Sequence, residues 1–270
     1  MNKLKFLKLA RISRQALALQ VVTRPFASLA FFILTMLTKL TKNPINFKAK
    51  TFWGQEIEGI IPDPNFSFIY LYRFSDEGLT QMLMKYLNAG MTVIDIGAHV
   101  GYETMLASKI VGKEGTVYSF EPTPGTYNLL YKNTRKLGNV IINNMAVWSK
   151  NAILSFFDYG PSDSGLNSFF EARVPKKTLS SLNIESIRVP AITLDEYIDL
   201  YGVRPDFVKI DAESAEYDVL VGMAKSIQIH KPIIVLEIGD TPSEAGKTKE
   251  CIQFLGNYGY NVIEYYKGIL

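Results

Sequence analysis

Val93-Ile-Asp-Ile-Gly-Ala-His-Val-Gly101 decides the fold of this chain, because an apolar run enclosing one acid passes directly into a turn bracketed by two glycines. A short β-branched run of this kind reads as a buried strand. Gly97 and Gly101 end it in a loop whose backbone N–H groups can approach a ligand closely. Asp95 stands near the carboxyl end of the strand, which is the end where open α/β sheets bind ligands. The next strand, predicted over residues 116–121, closes on Glu121. An ionised carboxylate accepts two hydrogen bonds at once and so suits a pair of adjacent ribose hydroxyls.

The spacing narrows the ligand. A dinucleotide site requires Gly-x-Gly-x-x-Gly, with the pyrophosphate on a helix N-terminus, and here the pattern is Gly97-x-x-x-Gly101 after Asp95. An NAD-dependent oxidoreductase is therefore disfavoured. Asp95 beside the loop fits a ligand carrying an ammonium group, as the amino acid tail of S-adenosylmethionine does. Outward from this unit the pattern alternates strand and helix. Strand 92–97, helix 102–111, strand 116–121, helix 125–137 and strand 140–145 form one half of a doubly wound, mostly parallel α/β sheet. Strand 206–211, helix 214–224, strand 232–238, helix 243–257 and strand 260–266 form the other. Residues 151–193 break the rhythm and read as an insertion over the rim of the site, strand-like at 153–157 and 187–192. Residues 51–90 lead into the core, with short strands expected between Phe52 and Phe74 and a helix over Asp76–Leu87.

Several ordered segments resemble the FkbM family of S-adenosylmethionine-dependent methyltransferases, from about Glu77 to Tyr266. They are Val93–Gly101, Val117-Tyr-Ser-Phe-Glu-Pro-Thr-Pro124 followed by Leu130 and Asn133, and Ile192-Thr-Leu-Asp195. Phe207-Val-Lys-Ile-Asp-Ala-Glu213 with Ala215-Glu216, and Leu236-Glu237, complete the set. The resemblance implies a Rossmann-like class I methyltransferase fold and S-adenosylmethionine as donor. It implies that Asp95, Gly97, His99, Gly101 and Glu121 hold the donor's tail and ribose, and that residues 144–147, Ala146 among them, lie against its adenine. Two positions depart from the family pattern, His99 where Asn is commoner and Ser214 where Gly is commoner. Sheets of this class usually finish in a two-stranded hairpin, so the expectation for the C-terminal edge is a final strand either missing or supplied elsewhere.

Asp211, Glu213 and Glu237 fall at or just beyond the carboxyl ends of two further strands, on the same rim as the cofactor residues. They are the candidates for general-base work or contact with a substrate hydroxyl. Oxygen ligation of a divalent ion is conceivable there but not predicted. The plain alternatives are that Asp211 caps the following helix and that Glu213 and Glu216 sit in its first turn, where acids are favoured in any case. Lys209 shares the face of Asp211 under strand alternation. Asn167 and Ser168 either touch a ligand or close a turn.

The charge is unevenly spread. Residues 1–50 hold ten Lys or Arg and no acid, while all 26 acids fall in the remainder. An acidic body disfavours nucleic acid as a partner. The basic and apolar start, with Phe26–Leu37 nearly continuously apolar, is too short to span a bilayer and suits either helical packing on the domain or peripheral membrane contact through residues 1–40. The lone Cys251 excludes an intrachain disulfide and agrees with a cytoplasmic location, peripheral at the membrane if the N-terminus docks there. The expected activity is methylation of a hydroxyl on a saccharide, lipid-linked glycan or secondary metabolite. The competing reading from another class is a non-catalytic, membrane-associated module that keeps the fold. The sequence sets no oligomeric state.

Overall fold

The computed structural model describes residues 3–14, 24–41, 43–170, 182, 184–237 and 245–264. Its centre is a five-stranded parallel sheet made of β3 (Thr92–Ile96), β4 (Thr116–Phe120), β5 (Val140–Asn143), β9 (Phe207–Ile210) and β10 (Ile233–Leu236), in the spatial order β10-β9-β3-β4-β5. The order reverses beside β3, and the crevice at such a switch point is where ligands of doubly wound sheets bind.

Alternation along β3 feeds both layers of core. Val93 packs with Met105, Leu106, Val117 and Phe207 on one side, whereas Ile94 and Ile96 pack with Phe120, Val208, Ile210 and Leu220 on the other. The crossover helices α5 (Tyr102–Val111) and α6 (Pro124–Thr134) cover the first layer, and α7 (Leu194–Tyr201), α8 (Glu216–Val221) and α9 (Ala224–His230) cover the second. The first layer extends to the N-terminus. There α1 (Lys3–Ser13) buries Phe6 against Phe52 and Phe74, with ring centroids 5.2 and 5.3 Å apart.

The segment expected to form short strands between Phe52 and Phe74 is only partly extended. β1 (Ile45–Lys50) and β2 (Glu56–Ile61) make an antiparallel pair, but Pro64–Tyr72 is a helix, α3, followed by α4 (Glu77–Tyr86). Aromatic density reads as strand, yet the start signal was present. Asp63 caps α3 by accepting from Phe66 N–H at 2.8 Å, and Pro64 occupies the first turn, where its missing N–H is harmless.

The insertion contributes β7 (Ala152–Asp158) and β8 (Glu185–Ile192), an antiparallel pair that β6 (Ala146–Val147), just before it, completes as a three-stranded sheet. Trp148, Phe156 and Phe169 cluster on it, with centroids 4.5 and 4.8 Å apart. At the other end, α10 (Ala245–Asn257) precedes no ladder, and the strand expected over 260–266 is absent from Tyr260–Glu264, the rest lying outside the described residues. Tyr260 is fixed by other means. Its N–H donates to Leu255 O in a turn, and its hydroxyl donates to Pro232 O at 2.8 Å.

Candidate functional site

The carboxyl ends of β3, β4, β9 and β10 open onto one cavity of about 690 Å³. Gly97, His99, Glu121, Ala146, Asp211, Glu213 and Glu237 line it together. Asp95 and Gly101 stand behind its wall.

The glycine loop explains itself locally. Gly97 has φ 74°, and a Cβ there would come within 1.8 Å of the Asp211 carbonyl oxygen, so only glycine lets the β3 and β9 ends meet. Gly101, at φ 91°, starts α5, and a Cβ on it would meet Leu130 at 2.6 Å. Its part is packing of helix against helix, a third-glycine role, rather than lining the cavity.

Asp95 departs from its expected place as well. Its carboxylate is buried, accepts from Thr104 Oγ1 at 2.6 Å and lies 3.3 Å from Lys209 Nζ, its cross-strand neighbour in register. The ammonium group it holds is therefore the protein's own. Lys209 in turn donates to the carbonyls of Ile96 and Gly97 at 3.2 and 2.7 Å and lies 3.4 Å from Asp211 Oδ2. Burial pushes the lysine's pKa down, but Asp95, Asp211 and Glu103 together hold it above the ordinary value. Asp95 thus acts on the loop through Lys209, which fastens the Ile96–Gly97 carbonyls.

Glu121, at the end of β4, accepts His99 N–H on Oε2 at 3.0 Å and Thr123 N–H on Oε1 at 2.9 Å. Each oxygen keeps lone pairs for a further donor. Burial raises its pKa, opposed by His99 and the two backbone amides. His99 has φ 49°, and its Nε2 lies 2.7 Å from Ser164 Oγ, which donates to Asp63 Oδ2 at 2.9 Å. The imidazole is thereby tied to the insertion and to the cap of α3. An Asn at position 99 would be too short to make the same span. Asn144 turns the chain from β5 to β6 by donating to the carbonyls of Glu121 and Pro122, and so sets Met145 and Ala146 on the cavity wall.

A further stretch of the cavity wall is acidic. Glu237 is pushed up to about 8, chiefly by the charge of Asp211 and then by burial, with Lys209 opposing. Glu103, from the first turn of α5, is pushed to about 7 by burial and by Asp95 and Asp211. Asp76, the cap of α4, also lines this wall. Neither Glu103 nor Asp76 was singled out from the sequence, because acids at helix starts carry a sufficient local explanation. The one usable signal for Glu103 is its position two residues after the glycine loop.

The loop after β9 corrects another expectation. Asp211 does not cap a helix and Glu213 is not in a first turn, since α8 starts at Glu216 and Glu213 and Ser214 take left-handed φ values of 46° and 76°. Glu216 instead reaches back to accept from Ala212 N–H and Ser214 N–H, both at 3.1 Å. Ser168 Oγ donates to the Glu213 carbonyl at 2.7 Å, and Asn167 bridges Tyr159 N–H and Thr123 Oγ1 at 2.8 and 3.2 Å. These two insertion residues bind the rim to the ends of β9 and β4. Among the described residues no group of three or more His, Cys, Asp or Glu is arranged to hold a metal ion.

A parallel sheet in this order, with a glycine loop after its central strand and an acid at the end of the next, defines a Rossmann-like doubly wound domain with a nucleotide-type cofactor site at its switch point. The chain matches the Methyltransferase FkbM domain model over residues 95–262, more than half its length. It belongs to the FkbM methyltransferase family, whose donor is S-adenosylmethionine. The match favours neither the dinucleotide nor the non-catalytic reading.

Similar proteins include the hexuronic acid methyltransferase AglP of Haloferax volcanii, 26% identical over 175 residues, covering 64% of this chain and 66% of that one. A protein-L-isoaspartate O-methyltransferase of Thermosipho melanesiensis is 27% identical over 128 residues, covering 47% of this chain and 61% of that protein. The chain thus spans about two thirds or less of the length of these relatives. Among solved structures, a methyltransferase FkbM from Methylobacillus flagellatus is 15% identical with a TM-score of 0.44, covering 64% of this chain and 40% of that one. Aeropyrum pernix fibrillarin with bound S-adenosylmethionine is 17% identical with a TM-score of 0.41, covering 69% of this chain and 66% of that one.

Proposed function

We propose that this chain transfers a methyl group from S-adenosylmethionine to a hydroxyl of a saccharide, free or carried on a lipid. The observation that carries the reading is that the Gly97 loop and Glu121 line the same cavity as Asp211 and Glu237. S-adenosylmethionine supplies a methyl on a sulfonium and leaves as a neutral thioether. The remaining work falls to the chain: to hold donor and acceptor in line, exclude water and take the acceptor's proton.

In this reading Glu121 accepts from the two ribose hydroxyls with the lone pairs left free by His99 N–H and Thr123 N–H. Met145 and Ala146 give the adenine an apolar face. Gly97 admits the donor's tail to the loop backbone. Glu237 takes the hydroxyl proton, since a carboxylate raised to about 8 is a far better base than an ordinary one. Asp211, beside it and beside Lys209, keeps that basicity high and orients the acceptor. The saccharide class is supported by the relative named as a hexuronic acid methyltransferase. A cytoplasmic location belongs to the same reading, and the buried lone Cys251 agrees with a reducing compartment.

The test is transfer of radiolabelled methyl to hexuronic-acid saccharides, followed by mild alkali. Label that survives alkali is an ether and supports hydroxyl methylation. Label released by alkali is an ester on the uronate carboxyl and overturns it, and no labelling of any saccharide overturns the acceptor class.

A further inference from the structure

The outward face of α2 (Pro25–Thr41) is an apolar surface for which the cavity has no use. Phe26, Leu29, Phe32, Ile33, Met36, Leu37 and Leu40 recur at helical spacing and are all exposed, Phe26 at 87%, Leu29 at 59%, Phe32 at 62% and Leu40 at 75%. A 17-residue helix is about 25 Å long, so the stripe runs far beyond the scattered apolar side chains normal on a soluble surface. Its inner face is anchored: Phe31 stacks on Tyr70 of α3 at 6.4 Å, and Leu34 joins the core. The helix is therefore held in place with its greasiest side turned out. No helix among the described residues is long and apolar enough to cross a membrane.

Charge distinguishes the possible coverings. α1 contributes Lys3, Lys5, Lys8 and Arg11, with Leu4 and Leu7 exposed between them, α2 contributes Lys39, and neither helix contains an acid. A second copy docked self-complementarily through α2 would set Lys39 of each helix against a helix with no carboxylate to pair it. An anionic lipid surface offers hydrocarbon for the stripe and phosphates for the lysines.

We propose that α2 lies in the plane of an anionic bilayer, its Phe26–Leu40 stripe in the headgroup boundary and the basic residues of α1 and α2 against lipid phosphates. The face is one helix removed from the cavity, because α3 carries α2 on one side and contributes Pro64, Asn65, Phe68 and Ile69 to the cavity on the other.

The test is co-sedimentation of the full chain with vesicles of phosphatidylcholine alone and of phosphatidylcholine mixed with phosphatidylglycerol, at low and raised salt. The expected result is binding to the mixed vesicles that weakens with salt, and a loss of at least about tenfold in Leu29→Glu/Phe32→Glu, from removal of two apolar anchors. Phe26→Glu, at the most exposed position, should lower binding without changing the thermal melt and serves if the double variant folds poorly. Failure of the parent to bind mixed vesicles, or equal binding by the variants, overturns the proposal. So does a lipid-free dimer that the same substitutions dissociate, which would assign the face to a second copy.

Discussion

Lys209 is the residue on which the site's electrostatics turn, since it is buried on β9 between Asp95 and Asp211 and also fastens the Ile96–Gly97 carbonyls. Removing one partner of such a pair leaves the other charge buried alone, which costs roughly 3–5 kcal/mol. Lys209→Met is therefore expected to lose about that much in a urea unfolding curve near neutral pH. An unchanged midpoint would show that Asp95 is stable without it. Glu237 gives a second expectation, through pH. Its folded pKa of about 8 lies above the ordinary 4.5, so between these values the folded protein holds a proton that the unfolded chain has released. Its contribution to stability is complete below about 4.5 and is lost as pH rises through about 8. Melting temperatures measured across that window should fall in the parent and fall less in Glu237→Gln. The same substitution should cut turnover by about 100-fold or more if Glu237 is the base, and parental turnover should rise as pH passes about 8.

At the scale of elements, the insertion is tied to the glycine loop rather than laid across it. Ser164 joins His99 to Asp63, so one hydroxyl couples the insertion, the loop after β3 and the start of α3. Ser164→Ala should reduce stability by about 1–2 kcal/mol and quicken protease cleavage between residues 159 and 170. Cleavage at the parental rate would mean that Asn167 and Ser168 hold the segment unaided. This coupling was not legible in the sequence, because Asp63, His99 and Ser164 lie far apart in the chain and the motif that contains His99 says nothing of the other two. The parallel strands were legible, since buried β-branched runs ending in Gly or an acid have no competing local explanation. α3 was misread because its aromatics outweighed a two-residue start signal, Asp63-Pro64. The sequence reads as a helix from Ser214 with Glu213 in its first turn, because acids suit that place, whereas left-handed Glu213 and Ser214 delay α8 to Glu216.

For the molecule as a whole, the sequence separates a basic N-terminus from an acidic body, and the fold keeps the two apart. The helices α1 and α2 carry the positive charge on the outside of α3, and the cavity lined with Asp76, Glu103, Asp211 and Glu237 lies on its inner side. Asp95 and Gly101 show the limit of motif reading at this scale. Both belong to the motif, yet one works through Lys209 and the other by packing α5 on α6. In the proposed reaction Glu121 is the residue that grips the donor's ribose. The direct measurement is calorimetric titration of the parent and of Glu121→Gln with S-adenosylhomocysteine, with NADH in parallel and thermal melts to verify folding. That role for Glu121 predicts that the parent binds S-adenosylhomocysteine and not NADH, and that the variant stays folded while its affinity falls about 100-fold, as expected for weakening two charge-assisted hydrogen bonds. Equal affinity in the two proteins, or preference for NADH, would contradict it.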